Sequence, residues 1–135
     1  MIDRRAPATA TPIATPLLAV ACLSAFTANV DLSVVNLALP TLGRAFHAGQ
    51  SELAWAVNAY VLPYAVSILA VGRLGDRFGH RRVLAGGAVL FLLGSVVGTL
   101  APSLPVLLAG RVVQGVGGSA LMTMGLAIVS ANFEG

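Results

Sequence analysis

The sequence predicts an all-α, polytopic membrane protein with four transmembrane helices. Of the 135 residues, 57% are hydrophobic and 10% charged, against about 25% charged in an ordinary soluble domain. Four apolar stretches each reach the roughly 20 residues that a helix needs to cross a bilayer. The basic residues fall almost wholly between or outside those stretches. The surroundings that this composition requires are those of a lipid bilayer.

Taken in order, residues 1–15, MIDRRAPATATPIAT, combine Pro, Ala and Thr without a helical apolar period and read as a disordered tail. The first helix is expected over about 16–39. Arg4 and Arg5 precede it and AFTA inside it has the small residues of a cleavage site, but apolar character runs on to Leu39. That is about twice the length of a signal-peptide core, so the segment is read as an uncleaved helix. The second helix is expected over about 53–72, the third over about 83–101 and the fourth over about 105–130, so that 16–135 form one membrane domain. Trp55 suits an interfacial anchor, and Pro63 a bend in the second helix. Tyr60, Tyr64 and Ser67 share a face that suits a cavity wall for lipophilic cargo or a contact with lipid or core. GSVVG, Gly94 to Gly98, has the small-xxx-small spacing of a helix-packing face. APSLP, Ala101 to Pro105, reads as a tight turn between the third and fourth helices.

The eight basic residues are all arginines. Arg4 and Arg5 lie before the first helix and Arg73, Arg77, Arg81 and Arg82 after the second, which assigns both places, and both ends of this chain, to the cytoplasmic side. The stretch GRLGDRFGHRR, Gly72 to Arg82, is then a cytoplasmic loop. Arginines divided among tail, loops and one apolar run do not form a nucleic-acid surface. Cys22 is the one cysteine, so no disulfide framework exists. His47 and His80 lie in different loops, and no G-x-x-x-x-G-K stretch occurs. No metal, cofactor, ATP-driven step or catalytic residue is therefore expected, and the chain is not read as an enzyme.

Two charges lie inside apolar spans, Asp31 in the first and Arg111 in the fourth, each costing roughly 2.5–3.5 kcal/mol at mid-helix on insertion scales. At about 1.5 Å per residue, Asp31 sits roughly 12 Å below the outer end of its helix and Arg111 roughly 9 Å below the outer end of its own. They are thus able to meet at similar depth. One reading is an ion pair that holds two helices together. The other is a carboxylate that takes up and releases a proton: burial disfavours its anion, the guanidinium favours it, and separating the two drives proton uptake.

Helical angles place Ser24, Thr27 and Asp31 on one side of the first helix and Asn29, Ser33 and Asn36 nearly opposite. The Asp31 stripe is assigned to a cavity and Asn36 to interhelical hydrogen bonding. On the fourth helix Arg111, Gly115, Gly118, Met122 and Gly125 fall along one stripe with Gln114 at its edge, which suits cavity lining and close helix packing equally. The candidate proton-coupling or substrate-cavity residues are Asp31, Arg111, Gln114 and Asn36.

Gly72, Gly75 and Gly79 permit turns and close backbone approach, and Asp76 can cap a helix or pair with an arginine. GRLGDRFGHRRVL resembles the signature G-x-L-a-D-r-x-G-r-k-x-x-l between the second and third helices of the major facilitator superfamily. Gly72, Leu74, Asp76, Arg77, Gly79, Arg81 and Leu84 match it position by position, while Gly75 and His80 depart mildly. DLSVVNLALP, Asp31 to Pro40, resembles the first-helix signature of the drug:proton antiporters of that superfamily, and RVVQGVGGSA, Arg111 to Ala120, their fourth-helix signature. WAVNAYVLPYAVSILAVGRLGDRFG is similar to the second helix of the fourteen-helix branch, and the whole resemblance covers about residues 16–130.

The resemblance implies the start of the N-terminal bundle of a major facilitator fold in a bacterial plasma membrane. It implies export of small lipophilic compounds or drugs in exchange for protons, by alternating access. Gly72, Asp76, Arg77, Gly79 and Arg81 would form a conformational latch whose partners lie among the remaining helices. Since the family has twelve or fourteen helices, the chain is expected to be an N-terminal fragment. The alternatives are a self-contained four-helix exporter acting as a dimer and a nontransporting assembly segment.

Overall fold

Four helices follow one another in the computed structural model, which describes residues 14–133: α1 (Ala14–Phe46), α2 (Gln50–Phe78), α3 (His80–Thr99) and α4 (Leu104–Phe133). Of the tail expected over 1–15, residues 1–13 lie outside the described residues, and Ala14 and Thr15 open α1. All four helices contain stretches long and apolar enough to cross a membrane.

The helices run past the apolar spans because hydrogen bonding, unlike hydropathy, does not stop at the membrane edge. α1 continues through Pro40 to Phe46. There His47 takes a left-handed conformation (φ 51°), and the Ala48 N–H reaches back to the Gly43 carbonyl at 3.0 Å, a closure that satisfies a terminal carbonyl. Arg44 adds a bond from Nε to the Pro40 carbonyl at 3.3 Å, placing a cation at the negative end of the helix dipole. α2 starts three residues on, where the Glu52 carboxylate accepts the Gly49 N–H at 2.8 Å and ties the helix start shut.

GRLGDRFGHRR is not a loop. Gly72 to Phe78 complete α2, and His80 to Arg82 begin α3, with Gly79 alone between them. Gly79 has φ 92°, a conformation that costs a residue with a Cβ far more than glycine. Its N–H closes the last turn of α2 onto Gly75, and its carbonyl accepts the first bonds of α3 from Arg82 and Val83. A single glycine thus supplies the reversal for which a longer loop was expected, because Gly72 and Gly75 are compatible with helix as well as with turn.

α4 is the centre of the bundle. It packs most extensively on α3, then on α2, then on α1. The α3–α4 seam is built of backbone: a Cβ added to Gly94 would stand 2.6 Å from the Gly110 carbonyl, and one on Gly110 would stand 2.9 Å from Gly98 N. Small residues in register let two helices approach closely, which is how helices associate where lipid is as apolar as leucine. GSVVG is therefore a packing face. Two apolar clusters complete the interior, one of Tyr60, Phe91 and Leu121 and one of Val71, Ala120 and Met124.

The outside is apolar as well. Leu37, Val66, Leu69, Leu92 and Leu126 are exposed, as expected of helices facing lipid or further helices rather than water. α1 is the least covered: none of its described side chains is buried, whereas more than half of the apolar stretch of α4 is.

Candidate functional site

Halfway along α1, the helical repeat turns Asp31 toward α4, and two residues of that helix, Arg111 and Gln114, converge on it. Arg111 Nη1 donates to Asp31 Oδ2 at 2.5 Å and to Gln114 Oε1 at 3.0 Å. Gln114 Nε2 donates to Asp31 Oδ1 at 3.2 Å. The three side chains therefore close a ring in which each is bonded to the other two. Arg111 Nε reaches a fourth group, the Ala56 carbonyl of α2, at 3.3 Å.

Burial is uneven across the pair. The Arg111 side chain is 3% exposed and that of Asp31 20%. The guanidinium is thus enclosed while its counter-charge sits at the edge of open space. That space is a groove of about 290 Å³ between α1 and α3, lined by Phe26, Thr27, Val30, Asp31, Val34, Phe91 and Ser95. Apolar walls with one carboxylate and two hydroxyls can receive a lipophilic molecule or admit a proton donor to Asp31.

Charge-assisted bonds of this kind offset the cost of holding ions in apolar surroundings only when their remaining donors and acceptors are also engaged. Gln114 engages part of that capacity, since its amide donates to Asp31 and accepts from Arg111, while Arg111 Nη2 is buried without a hydrogen-bond partner among the described residues. Gln114 stands three residues after Arg111 on the same helix face.

Asn36 is exposed on α1, more than one turn beyond Asp31. On the fourth-helix stripe Gly115, Gly118 and Gly125 are buried and Met122 is exposed. A Cβ at Gly115 would run into the Tyr60 carbonyl, and one at Gly118 would stand 2.6 Å from the Tyr60 hydroxyl. These two glycines are packing residues that admit Tyr60.

Tyr60 and Ala56 are the parts of the site that hydropathy reading did not assign to it. The Tyr60 ring lies 4.6 Å from Arg111 Cζ, and Tyr64 stacks on it with centroids 5.9 Å apart. An (i, i+4) aromatic pair on an apolar helix is an ordinary core feature, and a backbone carbonyl carries no sequence signal at all. Only the crossing of α2 over α4 reveals either.

The proposed latch residues lie at the far end of α2. Asp76 Oδ1 is 3.7 Å from His80 Nε2, one turn on across Gly79, and its side chain is 79% exposed. The Arg77 guanidinium lies 5.3 Å from the Phe78 ring centre, and Arg81 is exposed in the first turn of α3. At Gly72 an added Cβ would meet nothing within 4 Å. Asp76, Arg77 and Arg81 are thus all exposed at this end of the bundle. Among the described residues no group of three or more His, Cys, Asp and Glu side chains is suited to hold a metal.

Residues 21–135 match the Major Facilitator Superfamily. The drug efflux pump JefA of Mycobacterium tuberculosis is 40% identical over 111 residues, which are 82% of this chain and 22% of that protein. The multidrug resistance protein Stp of the same organism is 42% identical over 111 residues, 82% of this chain and 21% of that protein. The riboflavin transporter RibZ of Clostridioides difficile is 36% identical over 117 residues, 87% of this chain and 26% of that protein. No solved structure matches the chain. The chain therefore spans about a quarter or less of the length of these relatives. With four membrane-length helices, the charged pair between the first and fourth, and this match over most of its length, the chain belongs to the Major Facilitator Superfamily.

Proposed function

We propose that the chain is the N-terminal part of a proton-coupled exporter of small lipophilic compounds, working by alternating access with both ends of this segment on the cytoplasmic side. The observation that carries this reading is the asymmetry of the central pair: Arg111 is enclosed and multiply bonded, whereas Asp31 is partly open to a groove with apolar walls. A carboxylate so placed can be neutralised by a proton without displacing the arginine. Two of the relatives are named for drug efflux or multidrug resistance and another for riboflavin transport. Export of lipophilic compounds is the reading that suits the groove.

In this cycle, protonation of Asp31 removes its two charge-assisted bonds and frees α1 to shift against α4. Deprotonation restores them. The cargo occupies the apolar wall while the pair is apart, and Asp76, Arg77 and Arg81 engage the rest of the transporter in one of its two states.

The test is Asp31→Asn in the full-length transporter, assayed in inside-out vesicles by the pH-gradient collapse that a lipophilic probe such as ethidium induces. The variant should remain folded, because asparagine keeps the shape and part of the hydrogen bonding, and should lose proton-driven exchange at least tenfold. Unchanged exchange in a folded protein defeats the reading.

A further inference from the structure

The Arg111 guanidinium is held mainly from α2 and α4, and Asp31 is its link to α1. Its Nε bonds the Ala56 carbonyl and its Nη1 bonds Gln114. Its Nη2 is buried and has no hydrogen-bond partner among the described residues. The remaining electron-rich surface against the guanidinium is the Tyr60 ring, 4.6 Å from Cζ. A desolvated guanidinium over an aromatic face is attracted by the ring quadrupole.

Tyr60 is itself fixed on every side. It is 2% exposed and packs with Phe91 and Leu121. Tyr64 stacks on it at an interplanar angle of 21°. Gly115 lies against its carbonyl and Gly118 under its hydroxyl, where side chains would collide with it. The hydroxyl is buried and has no hydrogen-bond partner among the described residues, so the contact that Tyr60 offers the pair is its ring.

We propose that Tyr60 is a positioning residue: its ring, seated in the Gly115 and Gly118 notch, holds the Arg111 guanidinium in place and thereby sets the pH at which Asp31 takes up its proton. The proposal rests on the proton-carrier reading of Asp31. A guanidinium pinned from α2 keeps its charge at a constant distance from the carboxylate, whereas an unpinned one samples other rotamers and stabilises the anion less. The ionisable groups that face Asp31 among the described residues are Arg111 from α4 and Tyr60 from α2, with Tyr64 behind it. α3 contributes Phe91 and Ser95, neither of which carries charge.

The full-length transporter is treated in membranes with dicyclohexylcarbodiimide, which modifies protonated carboxyl groups, and modification of Asp31 is followed by peptide mass spectrometry as a function of pH. Exchange of ethidium against protons is measured over the same range. Tyr60→Phe keeps the ring and should keep the wild-type midpoint in both measurements. Tyr60→Leu should move both midpoints to higher pH by about half a unit, the size expected of one cation–π contact. Should Tyr60→Leu fail to fold, stepwise fluorination of a phenylalanine placed at position 60 weakens the ring face at nearly constant shape, and the midpoint should climb with each fluorine.

A wild-type midpoint in folded Tyr60→Leu or across the fluorinated series overturns the proposal. So does a shift in Tyr60→Phe as large as in Tyr60→Leu, because it would place the effect in the hydroxyl. If Asp31→Asn abolishes coupling while the position-60 series stays flat, the role of Tyr60 alone falls. If Asp31→Asn leaves exchange intact, the proton-carrier reading falls, and the modification midpoint still reports whether Tyr60 governs the pair.

Discussion

At the scale of single residues, the decisive asymmetry is that Arg111 has four electron-rich neighbours and Asp31 has two donors. Removing one ion of a buried pair is far more damaging than removing both, since the survivor is left uncompensated at a cost of about 3–5 kcal/mol. Asp31→Ala should therefore destabilise the bundle more than the double change Asp31→Asn with Arg111→Gln. Thermal unfolding in detergent, followed by loss of the monodisperse peak on size exclusion, measures the order. Gln114→Leu removes a donor and an acceptor together and should lower the midpoint less than Asp31→Ala does. Of this arrangement Asp31 and Arg111 were legible in the sequence, because charge inside an apolar run is costly and demands a partner, and Gln114 only as a polar residue at the edge of the Arg111 stripe. Tyr60 and the Ala56 carbonyl were not, because neither departs from what an apolar helix ordinarily contains.

At the scale of elements, glycines divide into those that packing requires and those that it does not. Gly94→Val forces a side chain into the Gly110 backbone across the α3–α4 seam. Overpacking of that kind costs about 1–3 kcal/mol or more, so the variant should accumulate poorly in the membrane. Gly72→Ala faces open space within α2 and gains helix propensity of up to about 1 kcal/mol. Its folded yield should match or exceed the wild type. If exchange by the full-length transporter is nevertheless lost in Gly72→Ala, the glycine is needed for an approach from outside these four helices, as a latch requires. The small-xxx-small spacing exposed the first kind of glycine to inspection of the sequence. It could not show that the motif around Asp76 is helix, single glycine, helix, because a Gly-rich polar stretch satisfies turn and helix rules alike.

For the whole molecule, the order of packing around α4 implies an order of loosening. α1 has no buried described side chain, and the Asp31 ring of bonds joins it to α4. Hydrogen exchange of the chain in lipid nanodiscs should show the amides around Asp31 opening before those around Gly115, and Asp31→Asn should widen the gap. Topology supplies a second prediction at this scale. Single cysteines at Arg73 or Arg82 should be labelled by impermeant maleimide only from the cytoplasmic side, and cysteines at Ser51 or Pro102 only from the opposite side.

Composition and order of apolar runs, by themselves, determined that this chain is four membrane helices, because crossing a bilayer is a condition of length and hydropathy that each segment meets alone. The same local accounting marked Asp31 and Arg111 as charges in need of partners. Tertiary structure decided what local rules leave open: that α4 is the hub, that Gln114 closes the ring between the two charges, that a tyrosine of α2 lies against the arginine, and that one glycine suffices to turn α2 into α3. These are matters of which helix faces meet and at what distance. A periodic apolar sequence offers several faces of nearly equal hydropathy, and backbone contact between small residues selects among them.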